Sequence, residues 1–329
     1  MNKAHKALSP LFSTITQFHL PCSNGIRLFN SLIKPICLYN AENLAHLSHH
    51  QIESLRGKKV SLLSYMMQAE HTKVQLRLMK FILGVNRSCS NIASLGEVGE
   101  FPLFLYGLIS LLLFWHRIAN LPSHILVRQA LNAQLRDESK SDWLATVQFL
   151  LSELNLSDHF NNPALATGVQ FSNLCKSRIK ECFLQQWMAQ LMGESDIRPH
   201  SSKLRFYKQF KTTFAREPYL ADIPNFFLRK RLTKFRCSDH SLEIEVGRHK
   251  NIPAQERICK ICKDGIETEE HFLWVCPKYS QLRTRYFGDV NSYLECADIL
   301  KCTNKNSSYS LANYITKALK YRESILANS

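Results

Sequence analysis

The chain has 329 residues, of which 45% are hydrophobic and 21% charged, and its 42 Lys plus Arg against 27 Asp plus Glu give a formal charge of +15. This excludes a disordered tail, allows a core split into two or three units, and points to an anionic partner, nucleic acid first and an anionic membrane second. Eleven cysteines, an odd count, and an N-terminus without a continuous apolar core predict reduced thiols in an intracellular protein of nucleus or cytoplasm.

Residues 23–48 read as a helix running into Pro35, followed by a short apolar segment at 36–39. Over 61–83 the residues Val74, Leu78, Phe81 and Ile82 recur at helical spacing and Gly84 marks the stop. Lys73, Arg77 and Lys80 fall on the opposite side, a solvated face by default. Residues 101–115, FPLFLYGLISLLLFW, are the most apolar run. Its fifteen uncharged residues, ended by His116 and Arg117, fall short of the about 20 that a spanning helix needs. A helix buried in a bundle is therefore expected, with membrane association as the alternative. Further helices are expected at 123–135, 142–154 and 171–192, the last with Phe171, Cys175, Ile179, Cys182, Phe183, Gln186, Trp187 and Leu191 as a core stripe. Residues 155–169 and 193–202 read as connectors.

Positive charge concentrates between Arg198 and Arg236, where eleven basic residues face only Glu217 and Asp222. Segments 203–215 and 226–236 interleave cations with Phe and Tyr. That pattern suits phosphate neutralisation with base stacking, and equally an amphipathic helix with its rings inside. Arg229, Lys230, Arg231, Lys234 and Arg236, with Arg248 beyond them, are the candidate phosphate contacts. RKRL, 229–232, also fits a nuclear-import patch.

The sharpest chemistry follows at 259–276, CKICKDGIETEEHFLWVC. Cys259, Cys262, His271 and Cys276 form C-x2-C-x8-H-x4-C, three sulfurs and an imidazole suited to one tetrahedral ion, with zinc expected. Asp264 and Gly265 supply a turn, and Thr268 caps a short helix through His271. His271 and Cys276 are five positions apart and would point roughly 140° away from each other on a regular helix. The last turn must therefore loosen around the metal. A rival set would pair Cys237 and His240 with Cys259 and Cys262, leaving His271 and Cys276 without a role. Beyond Cys276, helices are expected at 278–287 and 311–327. No adjacent Asp pair, phosphate-binding glycine loop, nucleophile elbow or H-E-x-x-H occurs, so no catalytic centre is expected.

Residues 229–283 resemble the C-terminal region of the reverse transcriptases of non-LTR retrotransposons. There a basic helix, a stretch matched by Arg236, His240, Leu242, Ile244, Glu245, Gly247 and Arg248, and a CCHC zinc module follow one another. Segments 28–42, 74–91, 95–103 and 202–220 are similar in patches. Where the family has Tyr-Gly-x-Glu this chain has Tyr39, Asn40, Ala41 and Glu42, and the polymerase palm with its paired aspartates has no counterpart. The resemblance implies a mainly α protein, a helical bundle with a small C-terminal CCHC zinc module. Its expected regions are a thumb-like helical one (1–155), a helical one ending in the basic helix (156–236), the zinc module (237–290) and a helical tail (291–329). The implied function is binding of RNA or DNA without an intrinsic polymerase site. The alternatives are a part of an RNA-directed DNA polymerase working with a separate palm, and a zinc-dependent protein-interaction module.

Overall fold

Apolar residues repeating at three- and four-residue spacing make this chain mainly α-helical. The computed structural model describes residues 2–137, 141–193, 203–288 and 299–328, and the strand-like pairing among them is a single antiparallel bridge, Ile258 with Ile266. The residues gather into two compact units. One comprises residues 1–7, 30–75 and 101–188; the other comprises 8–29, 76–100 and 189–329. Basic helix, Cys/His cluster and C-terminal tail, expected as consecutive regions, thus belong to one unit together with residues 76–100.

The first unit is organised by the helix Leu103–Ala119. Its apolar residues occur all round, and Leu105, Leu108, Leu111, Leu112 and Trp115 are buried among the helices Lys34–Leu38, Ala41–Leu44, Leu126–Arg136 and Asp142–Glu153. Each such side chain contributes about 1.5–3 kcal/mol on burial. The expected core helix is therefore present, and among the described residues no single helix is long and apolar enough to cross a membrane. At its C-terminal turn the His116 ring donates to the carbonyls of Pro163 and Ala166 at 3.0 and 3.2 Å. The helix Gly168–Met192 buries Phe171, Cys175, Ile179, Phe183, Trp187 and Leu191, six of the eight stripe residues. Half-buried Gln186 instead accepts the Leu63 N–H at 2.8 Å, satisfying an orphan donor in the first turn of the helix Leu62–Gln68. The 61–83 segment is broken at Ala69, whose extended backbone separates that helix from Glu70–Leu83.

The second unit has an ionic centre. The basic helix runs Phe226–Arg236, and the Asn225 side chain caps it by accepting the N–H groups of Phe227 and Leu228 at 3.0 and 3.1 Å. Leu232, Thr233, Phe235 and Arg236 face inward. Arg236 is fully buried, with Nη2 at 3.0 Å from Glu97 and 2.6 Å from Glu217. Its Nη1 donates to the Leu300 carbonyl, and the Tyr219 hydroxyl donates to Glu97. Glu97 lies in the helix Asn91–Val98, whose other residues from Ile92 onward are also buried. A carboxylate there requires a cation, and Arg236 is that cation. The 203–215 segment departs from an amphipathic helix: only Tyr207–Gln209 forms a 3-10 turn. The cause is Lys211, a buried ammonium that donates to the Ala215 carbonyl at 2.7 Å and to Glu217, drawing the chain into a loop around itself.

Candidate metal centre

Cys259 and Cys262 lie on a knuckle held by backbone bonds. The Cys259 N–H donates to Gly265 O at 2.9 Å, the Lys263 N–H to Cys259 O at 2.8 Å, and the Glu267 N–H to Arg257 O at 2.9 Å. Such a tight reversal needs left-handed backbone, found at Lys263 and Gly265 with φ of 58° and 72°. The Asp264 N–H points at Cys262 Sγ, 3.4 Å away. Thr268 caps the next turn as expected: its hydroxyl accepts the His271 N–H at 3.0 Å.

The loosened turn is a π-helical one, His271–Val275, closed by the Cys276 N–H donating to His271 O at 2.8 Å. That five-residue bond replaces the α-helical four-residue bond and brings both side chains to the same place. The ligand atoms of Cys259, Cys262, His271 and Cys276 all lie within 4.8 Å of one another, with Cys262 Sγ and His271 Nε2 at 3.3 Å. The set can hold a metal ion. Burial pushes the Cys259 thiol up to about 12, raises Cys276 and lowers His271, so the imidazole is neutral and free to ligate. Four protein donors would fill a tetrahedral shell and leave no position open on an ion held there.

The rival set does not assemble. Among the described residues Cys237 and His240 fall in no group of His, Cys or acidic side chains able to hold a metal, and His240 Nε2 lies 3.0 Å from a Glu269 oxygen. Glu269 also accepts from Arg205 at 2.7 Å and Ser238 at 3.1 Å. Burial alone would raise this carboxyl, but His240 and Arg205 hold it down to about 2.

Three residues around the cluster escaped the sequence reading. Glu267 is fully buried, with one oxygen 3.7 Å from Cys259 Sγ, and it pairs with Arg322 through bonds of 2.8 and 2.7 Å. Arg322 lies on the C-terminal helix Lys305–Ala327, as does Tyr314, whose hydroxyl donates to the carbonyls of Phe272 and Leu273 at 2.7 and 3.3 Å. Tyr314 satisfies carbonyls of the widened turn, and Arg322 neutralises the carboxylate beside the sulfur. Glu267 had a signal in its place between the turn and the cap; Arg322 and Tyr314, some forty residues or more away in sequence, had none.

The candidate phosphate contacts divide. Arg236 is enclosed by Glu97 and Glu217, and Arg229 is buried with Nη1 on the Ile223 carbonyl at 2.7 Å, so these two hold the fold and do not face a phosphate backbone. Arg248 is committed to Glu245 through two nitrogens at 3.1 and 2.9 Å. Arg231 reaches Glu323 at 3.7 Å with 41% of its side chain exposed, and Lys234 lies 3.8 Å from Asp239. Lys230 has no carboxylate partner among the described residues. The outward set is thus Lys230, Arg231 and Lys234. Lys80 too is internal, donating to Arg87 O and Cys89 O at 2.8 and 2.6 Å. Comparison of the chain with protein-family models, curated proteins and solved structures finds no match.

Proposed function

We propose that this chain is a zinc-stabilised nucleic-acid-binding protein, akin to the C-terminal region of non-LTR retrotransposon reverse transcriptases and without a polymerase centre of its own. The observation that carries this reading is a ring contact. Phe272, next to the ligand His271, lies 5.4 Å from Phe235 of the basic helix, so the metal cluster braces the helix that bears Lys230, Arg231 and Lys234. Zinc suits the donor set because it is a borderline-soft ion that takes three thiolates and an imidazole in a tetrahedral shell. The order of basic helix, His240-to-Arg248 stretch and Cys/His cluster supports the same reading. In it the ion fixes the angle of the helix, and the three outward cations neutralise phosphates of RNA or DNA.

The test uses the purified full chain. Metal analysis should find stoichiometric zinc in the wild type and a loss of it in Cys276→Ser. RNA and DNA affinity should fall with salt at a log–log slope of about −2 to −3, corresponding to three phosphates. A flat salt response removes the electrostatic basis of the proposal.

A further inference from the structure

Within the second unit, the end of the helix Asn2–Gln17, the turn after the helix Glu70–Leu83 and the helix Phe226–Arg236 enclose a groove of about 440 Å³. That volume falls in the range of about 300–1,000 Å³ typical of ligand pockets. Its wall is apolar, with Ile15, Leu20, Phe81, Val85 and Phe226 among the lining residues. Phe227 lines it too, a large ring left 74% exposed. Its charged side chains are Lys80, Arg229, Lys230 and Lys234; no carboxylate lines it, although Asp239, which accepts from Asn86 of the lining, lies 3.8 Å from Lys234. Carbonyl partners satisfy the hydrogen bonds of Lys80 and Arg229 without cancelling their charge.

Lys230 is set in place by the backbone opposite. Gly84, at φ +69°, lies so close that a Cβ there would come within 2.6 Å of Lys230 Cγ. The lysine stem rests on this glycine, and its ammonium sits 5.9 Å from the Phe226 ring. Phe226 and Phe227 themselves meet edge to face, with centroids 5.8 Å apart and planes inclined at 72°. An exposed aromatic next to fixed cations in an apolar groove matches one chemistry closely: a planar ring carried on a polyanion. A base inside a duplex offers only its edge, whereas a base in a single strand offers its face to a phenyl ring.

We propose that this groove binds an unstacked base of single-stranded nucleic acid, with Phe227 stacking on it and Lys230 and Lys234 holding the flanking phosphates. This deepens the nucleic-acid reading above and rests on it. An anionic lipid surface would use the same cations and bury Phe227 at its headgroup boundary, so it is the competing occupant that the vesicle measurement tests.

The experiment measures anisotropy of a labelled single-stranded oligonucleotide of about 12 nucleotides, chosen within the usual site sizes of single-strand binders, with the zinc-loaded full chain. The same measurement is made on its duplex, and sedimentation with phosphatidylserine vesicles runs beside it. The single strand should bind more tightly than the duplex. Phe227→Ala should weaken single-strand binding about 5- to 150-fold, the equivalent of about 1–3 kcal/mol of stacking, and leave duplex binding unchanged. Lys230→Gln should weaken both. Phe227 is exposed, so its alanine variant should melt like the wild type, and a melt confirms this. An unchanged single-strand affinity in Phe227→Ala, or equal affinities for strand and duplex, overturns the groove; if binding then remains salt-dependent, the nucleic-acid reading still stands. Binding to vesicles with none to either oligonucleotide overturns both.

Discussion

Two helices at the centres of the two units make an instructive pair. Leu103–Ala119 is buried because its own residues demand it: from Leu103 to Trp115 apolar side chains occur on every side, and water is the poorer solvent for them. Phe226–Arg236 carries five cations in eleven residues and still places two of them among its buried residues, because carboxylates far away in the chain receive Arg236 and loop carbonyls receive Arg229. The first burial is a property of a segment. The second is a property of a meeting, and charge on a helix does not reveal which side of it meets solvent.

This difference can be pushed until it breaks, starting where the effect is largest. Chelation of the zinc ion proposed for the Cys/His module should remove on the order of 10 kcal/mol of local folding free energy from it. Limited proteolysis should then open new cleavage sites near 259–276 while the Leu103–Ala119 segment keeps its protection. Equal protection with and without chelator would show that no structural ion is held there. Next, Arg236→Ala strands Glu97 in the interior, while Glu217 keeps Lys211, and should cost about 3–5 kcal/mol in denaturant melts. A loss below about 1 kcal/mol would mean that the ionic centre is not the support described. Leu111→Ala, its apolar counterpart in the first unit, should cost about 2–5 kcal/mol by leaving a cavity.

A smaller effect depends on pH. Burial lowers the pKa of His116 below its ordinary value of 6.5. The unfolded chain therefore takes up the proton first, and stability should fall as pH drops below about 6.5 until the folded-state pKa is passed. His116→Gln should flatten that part of the stability-against-pH curve; an unchanged slope would place the titration elsewhere. Smallest in stability is Arg231→Gln, which breaks a surface pair and should cost under about 1 kcal/mol while weakening RNA or DNA binding. A variant that melts far lower would show Arg231 to be internal to the fold after all.

Much of the molecule was legible because its information is local. The ligand spacing, the Thr268 cap, the turn at Gly265 and even the loosening between His271 and Cys276 follow from geometry within eighteen residues. The helix Leu103–Ala119 and the stripe from Phe171 to Leu191 follow from periodicity. What resisted was non-local: the division of the basic helix, the loop around Lys211, and Arg322 and Tyr314 beside the metal cluster. One clue was nonetheless in view. Glu97 stands alone as an acid within the mostly apolar helix NIASLGEV, and a lone acid in such company demands a buried cation.

The widened turn at His271–Val275 has a consequence for chain length. Deleting one of Phe272 to Val275 would leave His and Cys four apart, a spacing that an ordinary helix already presents on one side. Coordination does not need the additional residue. What that residue does is swing the departing chain by about 100°, the angular step of one helical position. It acts as a wedge that aims Pro277 and Tyr279 toward the C-terminal helix, so the module should bear very few changes of length there.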